Sequence, residues 1–480
     1  MKPLLYVHAL RAARPRQLRA RALRPLARRK FPLSPPPRVP APVVGAEALW
    51  RSRAFEQGGS PEPGTRLARF HAHYGEEVLA AARAGETETA ARLIDGWISA
   101  NPPRDDDAWH PYVVATRVAN WTAALTLLPE LSDGRLGESL WRQLLRLEVN
   151  IEEDVLGNHV IRDARGLIAG GAAFVEPRFT EAGLELLARE LPEQILADGG
   201  HYERSPVYHL VVLRDLIEVQ AITGAAWLAE PIEGMRRFAA ALQRPDGSPA
   251  LFNDGGVDLA PQLDLPEPDF GLLVFASTGY AVVRSPRLWM ALDCGPPGPA
   301  FLPAHSHADA LSLQLWWDGR PVVIDTGTAT YEAGAERDRL RSTRAHSTIE
   351  LDGRSQFEPW RAFRSGPLPD VRVDLVEDGL VEAKVTWPCG ATHVRRVSWN
   401  EHQVEVSDRV DGEGRRRIVS RLVLAPGDRA ARIEPSVGEP VVEGGVVSER
   451  FGERVRTDVL AISVDAELPF ELGWLIRPLH

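Results

Sequence analysis

The period of the apolar residues changes once along this chain of 480 residues, and that change limits the fold more than any other feature. From about residue 60 to 245 the apolar positions recur at helical spacing, in segments such as "EEVLAAARAG", "TETAARLIDGWISANPP", "ESLWRQLLRLEVNIEEDVL", "TEAGLELLARELPEQIL", "PVYHLVVLRDLIEVQAITG" and "IEGMRRFAAALQRP". Short Gly, Pro and Asp breaks separate them, which predicts a run of helical hairpins. After "QRPDGSPALFNDGG" the pattern turns to alternation and β-branched runs, from "GYAVVRS" to "HQVEVSD", with Asp-Gly turns in "WDGRP", "LDGRS" and "EDGLV". About 200 residues of strands joined by hairpin turns make a β-sandwich or barrel. The expected organisation is a basic, proline-rich arm over 1–59, a helical domain over 60–265 and a β-domain over 266–480. Clefts at such junctions are favoured ligand sites.

Charge is unevenly placed. Eleven Lys and Arg precede the first acidic residue, Glu47, and the remainder carries 45 basic against 66 acidic residues. The segment "RAARPRQLRARALRPLARRK" suits either an arm packed along the protein's own acidic body or peripheral contact with an anionic surface such as a membrane, nucleic acid or an acidic polymer. It lacks the apolar core of a secretory signal, and no run of 18 apolar residues occurs to span a bilayer. The expected location is cytoplasmic or at the inner membrane face. Apart from residues 11–30 there is no basic face or motif for nucleic acid. Residues 31–46, "FPLSPPPRVPAPVVGA", read as an extended connector. Two cysteines, Cys294 and Cys389, exclude a disulfide framework and a cysteine zinc site, so any metal needs His, Asp or Glu.

Four stretches carry candidate chemistry. "PAHSHADALSLQLWWDGRPVVIDTGT" holds His305 and His307, then Asp325 on the next expected strand; His346 in "RSTRAHSTIEL" opens a further one. Histidines at i and i+2 on a strand face one side. Imidazole and carboxylate from three strands can hold zinc. "LGNHVIRDARG" places Asn158 beside His159, donors suited to a carboxylate. "DGGHYERSPVYHL" puts His201, Tyr202 and Glu203 in a loop and Tyr208 in the first helical turn, where the helix dipole favours the phenolate. "WHPYVVATRVANW" sets Arg117 and Asn120 three apart on one helical face, Arg being suited to bidentate carboxylate binding. Each signal alone reads more readily as a cap, a packed aromatic or an internal ion pair.

Their order resembles that of the heparinase II/III-like polysaccharide lyases, which in turn resemble some alginate lyases. The resemblance runs from about residue 60 to beyond 360, and "HSHADALSLQLWWDGRPVVIDTGT" with "AHSTIELDG" is its most specific part. It implies an incomplete (α/α) toroid followed by an antiparallel β-sandwich, and β-elimination on a uronic-acid-containing anionic polysaccharide. It further implies that Asn158, His159, Tyr208 and His305 are catalytic. Arg117, Asn120, His201, Tyr202, Glu203 and Tyr331 are expected to touch substrate. His307, Asp325 and His346 are expected to hold a structural zinc. Two other functions fit the same residues. One is a zinc-dependent hydrolase acting on a glycan, with His305, His307 and Asp325 as ligands. The other is a non-catalytic glycan-binding protein on the lyase scaffold.

Overall fold

The structure, a computed structural model, describes residues 3–52, 61–387 and 389–479. Twelve helices occupy its first half: α1 (Pro3–Ala12), α2 (Pro15–Ala27), α3 (Glu47–Arg51), α4 (Arg66–His71), α5 (Glu76–Arg83), α6 (Thr87–Ala100), α7 (Pro111–Leu127), α8 (Gly134–Glu148), α9 (Asn158–Ala173), α10 (Pro177–Gln194), α11 (Pro206–Thr223) and α12 (Ala229–Ala241). Helices α5, α7, α9 and α11 neighbour one another in that order, and α6, α8, α10 and α12 each back onto the preceding one. This is an open ring of helical hairpins. Every residue of α7 is buried, and so is nearly all of α9. A helix that is apolar or small on all sides belongs inside such a ring. The crossing of α7 and α9 is close at Gly166, where a Cβ would lie 2.6 Å from the Cα of Ala115.

The helix predicted from "ESLWRQLLRLEVNIEEDVL" stops at Glu148, and residues 149–157 turn back instead. Asn150 folds its side chain onto the Arg146 carbonyl (2.9 Å), and the Asp163 carboxylate accepts from the Glu152 backbone N–H (2.8 Å). These local bonds satisfy the chain outside a helix.

The named strands of the second half all pair antiparallel. A five-stranded meander comprises β1 (Gly271–Phe275), β2 (Tyr280–Arg284), β3 (Leu288–Asp293), β4 (Leu313–Trp317) and β5 (Arg320–Val323). Beyond it lie α13 (Ala335–Leu340), β6 (Ile349–Leu351), β7 (Pro359–Trp360), β8 (Arg364–Ser365), β9 (Asp370–Glu377), β10 (Leu380–Thr386), β11 (Thr392–Trp399), β12 (Val404–Asp411), β13 (Arg415–Val423), β14 (Ala431–Pro435), β15 (Val441–Val447), β16 (Val455–Glu467) and β17 (Phe470–Pro478). They form a six-stranded sheet, β14-β17-β12-β11-β10-β9, and a four-stranded one, β15-β16-β13-β6. β7 and β8 make a separate two-stranded pair, and one apolar core joins the three larger sheets, through side chains such as Met290, Leu315, Val406, Ile418, Leu460 and Trp474. The Asp318-Gly319 turn joins β4 to β5 with φ of +49° and +73°, as expected of a two-residue hairpin. Both cysteines are free, Cys294 buried and Cys389 exposed.

The outer face of the meander seats the helical ring. Tyr280, Trp289 and Trp316 pack on Phe238 and Leu242 at the end of α12. The long loops 294–312 and 324–348 therefore project toward the N-terminal ends of α9 and α11. The expected boundary near 265 lies in the segment between α12 and β1; the one at 59 falls at 53–60, outside the described residues.

The arm packs on the protein itself. Arg14 pairs with Glu193 and stacks on Phe301 (3.8 Å), Arg16 pairs with Glu190 (2.6 Å) and Arg24 with Asp154. Residues 28–46 run extended along the ring, where Ala41 N donates to Ala173 O (2.8 Å).

Inside the sandwich, Asp408 accepts from Arg395 Nε (2.7 Å) and Nη2 (2.8 Å) and from His393 Nε2 (2.8 Å), all three residues being fully buried. Burial opposes its charge, but Arg395 and His393 hold its carboxyl well below the ordinary value. Asp408→Ala leaves Arg395 uncompensated and should destabilise the protein by roughly 3–5 kcal/mol in chemical denaturation. Because the folded carboxyl is depressed, this advantage over the variant is present above the unfolded pKa of about 4 and fades as pH falls below it.

Candidate active site

Ser205 and Gly157 place the two key helix starts. The Ser205 hydroxyl accepts from the Tyr208 backbone N–H (3.1 Å), and Pro206 supplies the first turn of α11. This fixes Tyr208 at the mouth of the ring. Its ring stacks on His305 from the sandwich side (centroids 3.8 Å, 27°), and its hydroxyl donates to that of Tyr331 (3.0 Å). Burial, then Tyr331, raise the Tyr208 phenol well above its usual value. The helix-start expectation of a phenolate is thus corrected: desolvation outweighs the dipole, and the group rests as a neutral acid.

Asn158 and His159 open α9. His159 Nδ1–H donates to Glu152 Oε2 (3.1 Å), its ring lies 4.7 Å from that of Tyr112, and its side chain remains 28% exposed. Burial works against the Glu152 charge, yet His159 and His110 hold its carboxyl at about 2. A carboxylate that orients one imidazole nitrogen leaves the other free to take a proton. Asn158 is committed elsewhere. Its side-chain amide reaches both Glu203 oxygens (3.2 and 3.1 Å), and its backbone N–H donates to the same carboxylate (2.7 Å).

His305 and His307 do face one side, as the i, i+2 spacing requires, although residues 303–312 are irregular rather than a strand. Both rings reach Asp254: His305 Nδ1 to Oδ2 (3.1 Å) and His307 Nε2 to Oδ1 (2.9 Å). Arg337 clamps the same carboxylate with both terminal nitrogens, the second at 2.6 Å. His305 Nε2 lies 3.2 Å from Glu203 Oε2. Both its nitrogens therefore face carboxylates, and neither is open in this arrangement.

The donor set behind His307 differs from expectation. His307, Asp309 and His346, all fully buried, bring ligand atoms within 4.8 Å of one another. Asp325 is outside this set and instead accepts from His346 Nδ1 (2.7 Å). His307 Nδ1, Asp309 Oδ1 and His346 Nε2 are buried without a hydrogen-bond partner. Each imidazole gives one N–H to a carboxylate and keeps a lone pair free, the arrangement of a metal-ligating histidine. Burial lifts Asp309 to about 6, with Asp325 adding to the rise and His346 opposing it. A cation would relieve that excess of buried carboxylate. The chemistry of the three residues thus fits a metal.

Other expected contacts are corrected. Arg117 is fully buried, donates to Gln143, His73 O and Ala108 O, and stacks on Trp97 (3.8 Å). Burial lowers it to about 9. Asn120 donates to Tyr74 O (3.0 Å) and lines a cavity of about 250 Å³ inside the ring, with Arg162, Arg165 and Arg214. His201 bonds Gln194 (3.0 Å), and Tyr202 is buried against Phe301; neither reaches the cleft. Glu203 lies in the site as a buried acceptor. Asp254, Glu152, Arg337 and Asp309 were missed. Asp309 alone had a signal, standing two residues after His307.

A ring of helical hairpins capped by an antiparallel sandwich, with Tyr, His and Asn gathered at the seam, defines the toroid-plus-sandwich class. The chain belongs to the heparinase II/III-like family: residues 79–258 match the heparinase II/III N-terminus and 267–439 the heparinase II/III-like C-terminal region. It is similar to FtsZ-localized protein C of Caulobacter vibrioides, 26% identical over 437 residues, 80% of this chain and 73% of that protein. It is 24% identical to the heparin-sulfate lyase of Pedobacter heparinus over 317 residues, 54% of this chain and 47% of the lyase. The chain thus spans about half the length of that lyase. Among solved structures, heparinase III superposes with a TM-score of 0.72 at 16% identity, covering 96% of this chain and 90% of the other.

Gly157 has φ +64°, and a Cβ there would strike Glu203 and lie 2.7 Å from Leu302 Cδ2. Gly157→Ala should cost roughly 2 kcal/mol or more by thermal denaturation, and displace Glu203 from Asn158.

Proposed function

We propose that this protein is a polysaccharide lyase that cleaves a uronic-acid-containing anionic polysaccharide, of the glycosaminoglycan kind, by β-elimination. The observation that carries the proposal is the neutral Tyr208 phenol, held between His305 and the Tyr331 hydroxyl at the seam that also exposes His159. Family membership and the heparin-sulfate lyase relatives support it.

The C5 proton of a uronate is a weak acid while its carboxylate is charged. In the proposed reaction, His159, oriented by Glu152, takes that proton through its open nitrogen. Tyr208, kept protonated by burial, gives its proton to the departing O4, and the C4–C5 double bond forms. Asn158, the neighbour of His159 at the start of α9, supplies a neutral amide donor to the developing enolate. Glu203 stands where the sugar carboxylate is expected, so substrate must share or take over the Asn158 amide. Tyr331 positions Tyr208 and contacts the sugar.

The same reading assigns a structural zinc to His307, Asp309 and His346, with Asp325 orienting His346. Zinc there would cross-link the 303–312 loop to residues 343–346. All three ligands are enclosed, which does not favour the hydrolase alternative, since that needs an open position facing substrate.

Incubation with a panel of uronic-acid polymers should give new ultraviolet absorbance from the unsaturated product. Tyr208→Phe should lower kcat by about 10²–10⁴ while polymer binding persists. Wild-type protein that binds a polymer yet never yields unsaturated ends would overturn the lyase in favour of a binding protein. His346→Ala should lose bound zinc, read by elemental mass spectrometry, and melt several degrees lower.

A further inference from the structure

The second helix of the N-terminal arm is amphipathic in the reverse of the usual sense. Helices packed on a protein turn apolar residues inward and charges outward. Here α2 and the residue that caps it turn arginines inward: Arg14, Arg16 and Arg24 meet Glu193, Glu190 and Asp154, while α1 lays Tyr6 on Trp360. Gln17, also on the inner side of α2, is fully buried and reaches Phe301 O. The leucines face out. Leu4, Leu10, Leu18, Leu23 and Leu26 are 81%, 58%, 39%, 48% and 61% exposed, and Val7 is 43% exposed.

The spacing makes these two short stripes. Leu4, Val7 and Leu10 repeat every three residues, and Leu18, Leu23 and Leu26 share one side of α2 with exposed Arg19. Arg11, Arg29 and Lys30 are exposed beside them, and none of these four cations forms an ion pair with the described residues. No acidic residue precedes Glu47, whereas the rest of the chain is strongly acidic.

We propose that the outer face of α1 and α2 docks on an anionic lipid bilayer. Leucine side chains interleaved with cations and free of acids are the composition of an interfacial helix, which lies in the headgroup region with its apolar side sunk into the acyl boundary. Arginine stems can lie along that boundary while their heads stay with the phosphates. Among the described residues no helix is long and apolar enough to cross a membrane, so the contact is peripheral. A second protein copy fits less well. The apolar side chains of this face alternate with exposed cations, whereas the core of a protein–protein interface is depleted of charge. The inner arginines give the docking a direction: they fasten the arm to the acidic body, which would otherwise be repelled by anionic lipid.

The experiment uses the full chain with vesicles of phosphatidylcholine, with and without phosphatidylglycerol, in a sedimentation assay. Wild-type protein should pellet with the anionic vesicles only, and less so as salt rises. Leu23→Glu with Leu26→Glu should weaken binding by about tenfold or more. Arg19→Glu should weaken it by about fivefold or more. All three positions are exposed, so the circular dichroism melt should stay at the wild-type midpoint and separate lost binding from lost fold. The proposal is overturned if wild-type protein ignores anionic vesicles, or if the leucine variant binds them equally well. It is also overturned if the face proves to be a self-association surface: a concentration-dependent dimer, abolished by the leucine substitutions, with no vesicle binding.

Discussion

One buried carboxylate holds the seam together. Asp254 sits on the chain that leaves the helical ring, and it receives His305, His307, Arg337 and Thr328 from the sandwich. Burial opposes its charge, but Arg337 and the two imidazoles hold it well below the ordinary carboxylate range. A fully buried charge is tolerated only when its lone pairs are satisfied, and here four groups converge on two oxygens. The side of the cleft that carries His305 is positioned by this bond set, and so is the inner side of His307. The stacking of His305 on Tyr208 then follows from where the ring has been fixed.

Charge at the seam is neutralised internally almost everywhere. Arg337 belongs to Asp254, the Asn158 amide to Glu203, and Arg117 to the packing between α7 and α8. What remains open is the His159 ring, whose second nitrogen has no hydrogen-bond partner among the described residues. This distribution suits proton transfer at His159 and Tyr208 better than strong electrostatic capture of a polyanion. It agrees with a body whose overall charge is negative.

The α-then-β order and the strands from "GYAVVRS" to "HQVEVSD" were legible because hydrophobic period reports burial directly. Family membership was legible because the motif blocks keep their order. The fate of single polar residues was not. Arg117 and Asn120 share a helical face by spacing, yet one lies among tryptophans and the other lines the ring's inner cavity. Spacing gives the side of a helix, while the neighbouring helices decide what that side meets. Asp325 and Asp309 differ in the same way: both follow the histidine pair, and only the path of an irregular loop decides which one joins it. Glu152 was hidden because its stretch has helical periodicity, and the local bonds of Asn150 and Asp163 that break the helix leave no periodic trace. The arm's helices were equally invisible, since their leucines serve no internal core.

The arm touches both halves of the molecule. Tyr6 lies against Trp360 of the sandwich (4.8 Å), Arg14 rests on Phe301 at the seam, and Arg24 reaches Asp154 beside the His159 partner Glu152. A segment anchored at both ends spans the groove between ring and sandwich as a strap. Widening the groove between ring and sandwich must lengthen that strap or peel one end away. Whatever holds the strap from outside would in this way set how far the groove can gape.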